Sequence, residues 1–226
     1  MIYFEKVSKI YSDNSAALEE IDLVIEPHEF VSIVGQSGAG KSTLLKLLLR
    51  EDRPSAGKIF FESIDISRIP RNKIHNLRRK IGSVFQDYKL LATKTAFENV
   101  AFAMEASGAD EDQIESDVPQ VLELVGLKDK ICHFPNELSG GEKQRLAIAR
   151  AIINQPEVIL ADEPTGNLDP INTVDIIKLL MKINELGTTV ILTTHNKDIV
   201  DHLNKRVITL ESGKLIRDEK HGKYVL

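Results

Sequence analysis

Residues Gly35-Gln36-Ser37-Gly38-Ala39-Gly40-Lys41-Ser42 constrain this 226-residue chain more than any other stretch. They fit the pattern G-x-x-x-x-G-K-[ST]. An apolar run, Phe30 to Val34, precedes them, and a helix-period segment, Lys41 to Leu49, follows. A loop between a buried strand and a helix start can wrap its N–H groups around phosphate oxygens, and the helix end adds partial positive charge. Gly35, Ser37, Gly38, Gly40, Lys41, Ser42 and Thr43 are the expected nucleotide-binding residues. Lys41 should reach the β- and γ-phosphates of ATP, and Ser42 should ligate Mg²⁺. The plain alternative is a Gly-rich turn with no ligand, which the strand and helix context disfavours.

The flanking pattern gives the fold class. Three strands are expected in residues 1–34: Ile2 to Val7, Leu18 to Ile25 and Phe30 to Val34, with turns at Asp13-Asn14-Ser15 and Pro27-His28. Another strand follows at Lys58 to Phe61. Charged, helix-period segments fill Pro70 to Leu127 around a strand at Ile81 to Phe85. Residues of about 94–136 read as an inserted helical subdomain. From Glu142 helices and strands alternate: helices 142–153, 171–186 and 197–203 separate strands 157–162 and 188–194, and Ser212-Gly213 turns a final hairpin. Such alternation implies an α/β fold with a mainly parallel sheet.

Val158-Ile159-Leu160-Ala161 ends in Asp162-Glu163. Parallel strands present their C-terminal ends to the ligand crevice. There Asp162 can hold Mg²⁺ through water, and Glu163 can polarise an attacking water. A solvated turn before Pro164 is the alternative, and the phosphate loop weighs against it. His195, after another apolar strand, could bond the γ-phosphate or orient the water. Gln86, after Ile81 to Phe85, could reach Mg²⁺ or the water. Glu163, His195 and Gln86 are thus the catalytic candidates, and Ser42, Gln86 and Asp162 the metal candidates.

Leu138-Ser139-Gly140-Gly141-Glu142 precedes a helix, with Ser139 and Glu142 spaced as a capping box. Two glycines in a helix's first turn also bare its N–H groups, making a second anion site roughly a hundred residues from the first. A two-fold homodimer could close each ATP between the phosphate loop of one chain and this helix start of the other.

At this point the chain resembles the ATP-binding cassette (ABC) family over nearly its whole length. The motifs occur in the family's order: Tyr11, Gly35 to Ser42, Gln86, Leu138 to Glu142, Asp162-Glu163, Asn167-Leu168-Asp169 and His195. The resemblance implies a P-loop NTPase with a RecA-like core, an N-terminal antiparallel β-subdomain and an inserted α-helical subdomain, all in one nucleotide-binding domain spanning 1–226. It implies that Tyr11 stacks on adenine. Ser139, Gly140 and Gly141 would touch the γ-phosphate across the dimer, Asp169 would link the two sites, and His195 would be the switch histidine. Within the family, Phe85 to Leu91 and Thr95 to Phe102 are most similar to the cell-division subunits. Ala161 to Asp169 is shared with lipoprotein-releasing and macrolide-export ATPases, which remain the alternative. Two positions depart from the family pattern: Glu142 stands where glutamine is commoner, and His28 where a turn glycine is usual.

The resemblance further implies a separate integral membrane partner, received near Gln86 to Leu91 and the following helices. Tyr88, Leu90 and Leu91 could form an apolar contact patch or be ordinary core. The short apolar runs fall below the roughly 20 residues of a spanning helix. The opening residues alternate and do not read as a charged-then-apolar leader. A soluble cytoplasmic chain is expected, held at the inner face of the plasma membrane by its partner. A net charge of −5 argues against bulk binding to nucleic acid. Arg71 to Lys80 carries five basic residues, either a solvated helix face or a local anion site. The single cysteine, Cys132, forms no internal disulfide and is expected packed or half-exposed. A kinase or GTPase is disfavoured, because neither needs Leu138 to Glu142.

Overall fold

A computed structural model describes residues 1–12 and 15–224; of the expected first turn, Asp13 and Asn14 lie outside the described residues. The chain opens with β1 (Ile2–Ile10), β2 (Ala16–Ile25), β3 (Phe30–Val34) and α1 (Lys41–Leu48). Next come β4 (Ala56–Phe61), the two-residue β5 (Ile64–Asp65), α2 (Ile74–Arg79) and β6 (Ile81–Phe85). Helices α3 (Ala96–Ser107), α4 (Glu111–Leu124) and α5 (Gly140–Ile152) follow. Then β7 (Val158–Asp162), α6 (Pro170–Glu185), β8 (Thr189–Thr193), α7 (Lys197–Leu203), β9 (Arg206–Glu211) and β10 (Lys214–Glu219) complete it.

The three expected N-terminal strands form, but in two different sheets. β1 and β2 join β4 and β5 in a four-stranded antiparallel sheet, order β2-β1-β4-β5. β3 enters a six-stranded sheet, order β10-β9-β3-β8-β7-β6, parallel except for β10 at the edge. Burial explains the split. All five residues of β3 are buried, as a strand covered on both faces requires, whereas β1 and β2 mix buried with exposed positions.

The parallel strands divide their side chains between two cores. Ile159 and Ala161 of β7, with Val190 and Leu192 of β8, pack against α3 to α7. Val158, Leu160 and Ile191 face the other way, toward α1 and the antiparallel sheet. The helices of 94–136 share the first of these cores: Val100, Val118 and Leu122 cluster with Leu146 and Ile159.

Helix ends follow local chemistry. Thr95 and Glu98 form a capping box on α3, Asp110 caps α4 and Asn196 caps α7. α5 starts at Gly140, two residues before the expected start, because Ser139 is its N-cap and places both glycines inside the first turn. His28 adopts φ 64°, so the turn keeps the left-handed conformation usual for glycine there. Its N–H donates to Thr189 Oγ1 at 2.8 Å, and its carbonyl accepts from Asn184. Cys132 is exposed and unpaired, more open than expected.

Candidate active site

Strand register brings the site together. Ile33 of β3 pairs with Thr193 of β8, Thr193 with Asp162 of β7, and Asp162 with Phe85 of β6. This row crosses the parallel sheet at its C-terminal edge. The chain then runs on into Gly35, His195, Glu163 and Gln86, so four segments distant in sequence meet along one edge.

The phosphate loop leaves β3 and turns into α1 at Gly40, whose φ is 104° and whose Cβ, if it had one, would stand 2.5 Å from the Ala17 carbonyl oxygen. Ser37 and Gly38 are exposed at the loop's crest. Lys41 is buried, and its Nζ donates to the Gly35 and Gln36 carbonyls at 2.8 and 3.0 Å. The loop's own carbonyls therefore hold the lysine's charge over the loop. Thr43, one turn in, lies 3.4 Å from the hydroxyl of Tyr11, whose ring carries the Lys9 ammonium 4.9 Å from its centroid.

The acidic pair at the end of β7 faces this loop. Ser42 Oγ donates to Asp162 Oδ1 at 3.3 Å. Glu163 has φ 47°, a left-handed backbone that turns its side chain back across the edge. Its Oε1 lies 3.8 Å from Lys41 Nζ, and its Oε2 lies 3.1 Å from His195 Nδ1. His195 is 63% exposed in its side chain, so one ring face is open to incoming ligand. A cleft of about 560 Å³ opens beside Glu163 and His195, walled by Leu168, Ile177 and Leu203.

Gln86 is at the same edge, but its Nε2 donates to Asn167 Oδ1 at 3.2 Å, and Asn167 Nδ2 returns a bond to the Gln86 carbonyl. Asn167 thus ties the two segments after β6 and β7. Asp169 caps α6, accepting the Ile171 and Asn172 N–H groups at 2.9 Å and the Asn172 amide at 2.5 Å. The Asn172 backbone bond, its largest influence, holds the Asp169 carboxyl below the usual aspartate range.

Ser139 lies at the β6 end of this row, away from the strand that carries the phosphate loop. It opens α5, which packs on β6, three strand positions from β3. At the spacing of about 4.8 Å between neighbouring strands, that is roughly 14 Å across the sheet. Ser139 Oγ accepts the Glu142 N–H at 3.3 Å, and Glu142 accepts the Ser139 N–H at 2.8 Å. Gly140 lies near the Tyr88 hydroxyl, and Gly141 lies against Asn172. Leu90 packs on the main core, which favours the core reading for that residue, while Tyr88 and Leu91 are half-buried.

Two participants carried no signal in the sequence. Thr193 Oγ1 donates to Asp162 Oδ1 at 2.5 Å, yet a threonine in a strand is unremarkable. Arg150 of α5 donates to the Tyr88 and Lys89 carbonyls at 3.0 and 2.7 Å, holding two consecutive left-handed residues. Burial away from water lowers the pKa of its guanidinium. Arg78 and Arg79 donate to the carbonyls of Leu49 and Ala106, and with Arg50, Arg71 and Arg150 they line a second cleft of about 870 Å³.

Residues 18–166 match the ABC transporter family. The cell division ATP-binding protein FtsE of Bacillus subtilis is 50% identical over 99% of this chain and 98% of its own length. Its namesake in Mycobacterium tuberculosis is 48% identical over 99% and 98%, and that of Escherichia coli K12 46% identical over 95% and 97%. Among solved structures, the dimeric ATP-binding cassette MJ0796 bound to ADP and Pi superposes with a TM-score of 0.89, at 36% identity over 99% of this chain and all of that one. CbiO1 of Clostridium perfringens gives the same TM-score at 34% identity, covering 97% and 88%. The chain is thus an ATPase of the ABC transporter family, and within it belongs to the family of the cell division ATP-binding protein FtsE.

Proposed function

We propose that this chain is the ATP-hydrolysing subunit of an FtsEX-like complex: two copies close around two ATP and drive an integral membrane partner resembling FtsX, which regulates peptidoglycan hydrolysis in bacterial cell division. The observation that carries the chemistry is the meeting of Lys41, Ser42, Asp162, Glu163 and His195 along one sheet edge. The whole of residues 1–226 acts as one nucleotide-binding domain, with 94–136 as its helical insertion.

The roles combine the site's geometry with what the family resemblance implies, the Tyr11–adenine stacking resting on the resemblance alone. The phosphate loop and Lys41 hold the β- and γ-phosphates, and Tyr11, beside Thr43, stacks on the adenine. Glu163, held between Lys41 and His195, takes the proton of the attacking water. With Nδ1 turned to Glu163, His195 would donate from Nε2 to a γ-phosphate oxygen when both ring nitrogens carry protons. Gln86, at the same edge, would reach Mg²⁺ or the water on leaving Asn167.

The donors fit Mg²⁺. Ser42 Oγ and Asp162 Oδ1, 3.3 Å apart, are two hard oxygens of the kind Mg²⁺ takes, and they would hold it, Asp162 through water. No group of three or more His, Cys, Asp or Glu forms an all-protein cage among the described residues, in keeping with a metal shared with phosphates and water. Bound there, Mg²⁺ would neutralise charge on the phosphate oxygens.

The dimer reading rests on the roughly 14 Å between β3 and β6. With its strand that far across the sheet from β3, the Ser139–Gly141 helix start would serve the partner's phosphate loop, with Asp169 near the seam. The membrane partner would be received at the Gln86 to Leu91 segment and the following helices, beside the arginine-lined cleft. Among the described residues no helix is long and apolar enough to cross a membrane; attachment at the cytoplasmic face would come through the partner. Nucleic acid is not an expected partner.

Affinity purification of Glu163→Gln from membranes in ATP tests this reading. It should bring down an FtsX-like membrane protein. Recovery of an export permease instead would favour the lipoprotein- or macrolide-export alternative.

A further inference from the structure

One hydroxyl touches both halves of the acidic pair. Thr193 is fully buried at the end of β8, in the row that pairs with Asp162. Asp162, as a carboxylate, only accepts hydrogen bonds. The Thr193 hydroxyl proton therefore goes to Asp162 Oδ1, 2.5 Å away. Thr193 Oγ1 in turn accepts the Glu163 N–H at 3.1 Å, and the Thr193 carbonyl accepts that N–H as well, also at 3.1 Å. Glu163 holds the left-handed φ of 47° immediately after these bonds.

We propose that Thr193 is a positioning residue whose hydroxyl sets the metal-facing carboxylate of Asp162 and the backbone of Glu163 in one geometry. This rests on the functional reading above. The argument is one of connectivity. Ser42 approaches Asp162 Oδ1 from the phosphate loop, and Thr193 approaches the same oxygen from β8. Removing the buried hydroxyl leaves Asp162 held only by the longer 3.3 Å bond from Ser42. It also leaves the Glu163 N–H with only the Thr193 carbonyl, so both carboxylates lose alignment together. A threonine present merely for its fit in a strand would be replaceable by valine, which has nearly the same shape and also favours strands.

Thr193→Val and Thr193→Ser in the full chain test the proposal. The Mg²⁺ concentration giving half of the Mg²⁺-dependent change in affinity for a fluorescent ATP analogue is measured, with affinity in EDTA as reference. Loss of a residue that orients a metal ligand typically costs 10–100-fold in metal affinity. Thr193→Val should raise the Mg²⁺ midpoint by about that factor. It should also lower kcat with little change in KM for ATP and leave the EDTA affinity unaltered. Thr193→Ser, which keeps the hydroxyl, should restore both. The proposal is overturned if valine keeps the wild-type midpoint and kcat, if serine is as impaired as valine, or if affinity in EDTA falls equally. Should Thr193→Val lose its cooperative melting transition, Thr193→Ala against Thr193→Ser is read by the same criteria. Asp162→Ala separates the two levels: if it too leaves the Mg²⁺ dependence intact, the functional reading of Asp162 fails and the Thr193 proposal goes with it.

Discussion

Gly141, in the first turn of α5, lies so close to Asn172, in the first turn of α6, that a Cβ on the glycine would stand 2.6 Å from Asn172 Cγ. Asn172 is also the residue whose amide and N–H bind Asp169. One asparagine therefore joins the helix start carrying Ser139 to the cap carrying Asp169. Within the chain, the two elements expected at the dimer seam are coupled by direct contact.

Gly141→Ala should disturb this contact. In an isolated helix alanine would gain about 0.8–1 kcal/mol over glycine. Here the overlap with Asn172 forces the amide off Asp169, and the clash should win. Removing the obstruction with Asn172→Ala should recover the helix gain. Denaturant melts of the two single variants and the double variant should give an interaction energy of about 1 kcal/mol. Strict additivity would show that the contact carries no energy.

Glu163→Gln preserves shape and removes the base. ATP binding should persist while turnover falls by about 10²–10⁴. Single-turnover hydrolysis with equilibrium binding distinguishes the two effects. Because closure would no longer be relieved, size-exclusion chromatography in ATP should show the dimer. Hydrolysis at the wild-type rate removes Glu163 from the mechanism.

Lys41→Ala removes a buried ammonium that now bonds two loop carbonyls. A hydrogen bond to a charged group is worth about 1.5–3 kcal/mol, so ATP affinity should fall at least 10–100-fold. Isothermal titration settles this, and an unchanged Kd contradicts the assignment of the loop.

Acid should loosen the α5 start. The Ser139 N–H, the largest influence, holds the Glu142 carboxyl below the usual glutamate range. A carboxyl depressed by folding contributes stability above its unfolded pKa, about 4.3, and loses it as pH falls through the lower folded value. Glu142→Gln keeps an acceptor without the titration. Its melting temperature should therefore fall less steeply than the wild type's between about pH 5 and 3. Parallel curves would mean that the cap does not respond to Glu142's charge.

Much of the site was legible because its signals are local. Gly35 to Ser42 carries the turn and the helix start in eight consecutive residues. Asp162-Glu163 and His195 each end a buried apolar run, and Ser139 with Glu142 spells its own cap. α5 begins two residues before the sequence pattern suggests, because the glycines that bare its N–H groups are also poor helix formers. Arg150 gave no hint, since its partners are carbonyls of a loop some sixty residues away.

By itself, then, the sequence determined the phosphate loop, the strand ends that bear carboxylates, the helix caps and the α/β alternation, all decided by neighbours in the chain. Only the tertiary structure decided that β3 leaves β1 and β2 for another sheet, that Glu163 stands between Lys41 and His195, and that the Thr193 hydroxyl falls on Asp162. Those facts depend on which distant strands pair and in what register. Register is fixed by burying both faces of the sheet, and a slip of one residue would turn every side chain to the opposite face. The phosphate loop was visible first, but the geometry that makes it a catalytic site lies in the row Ile33, Thr193, Asp162 and Phe85.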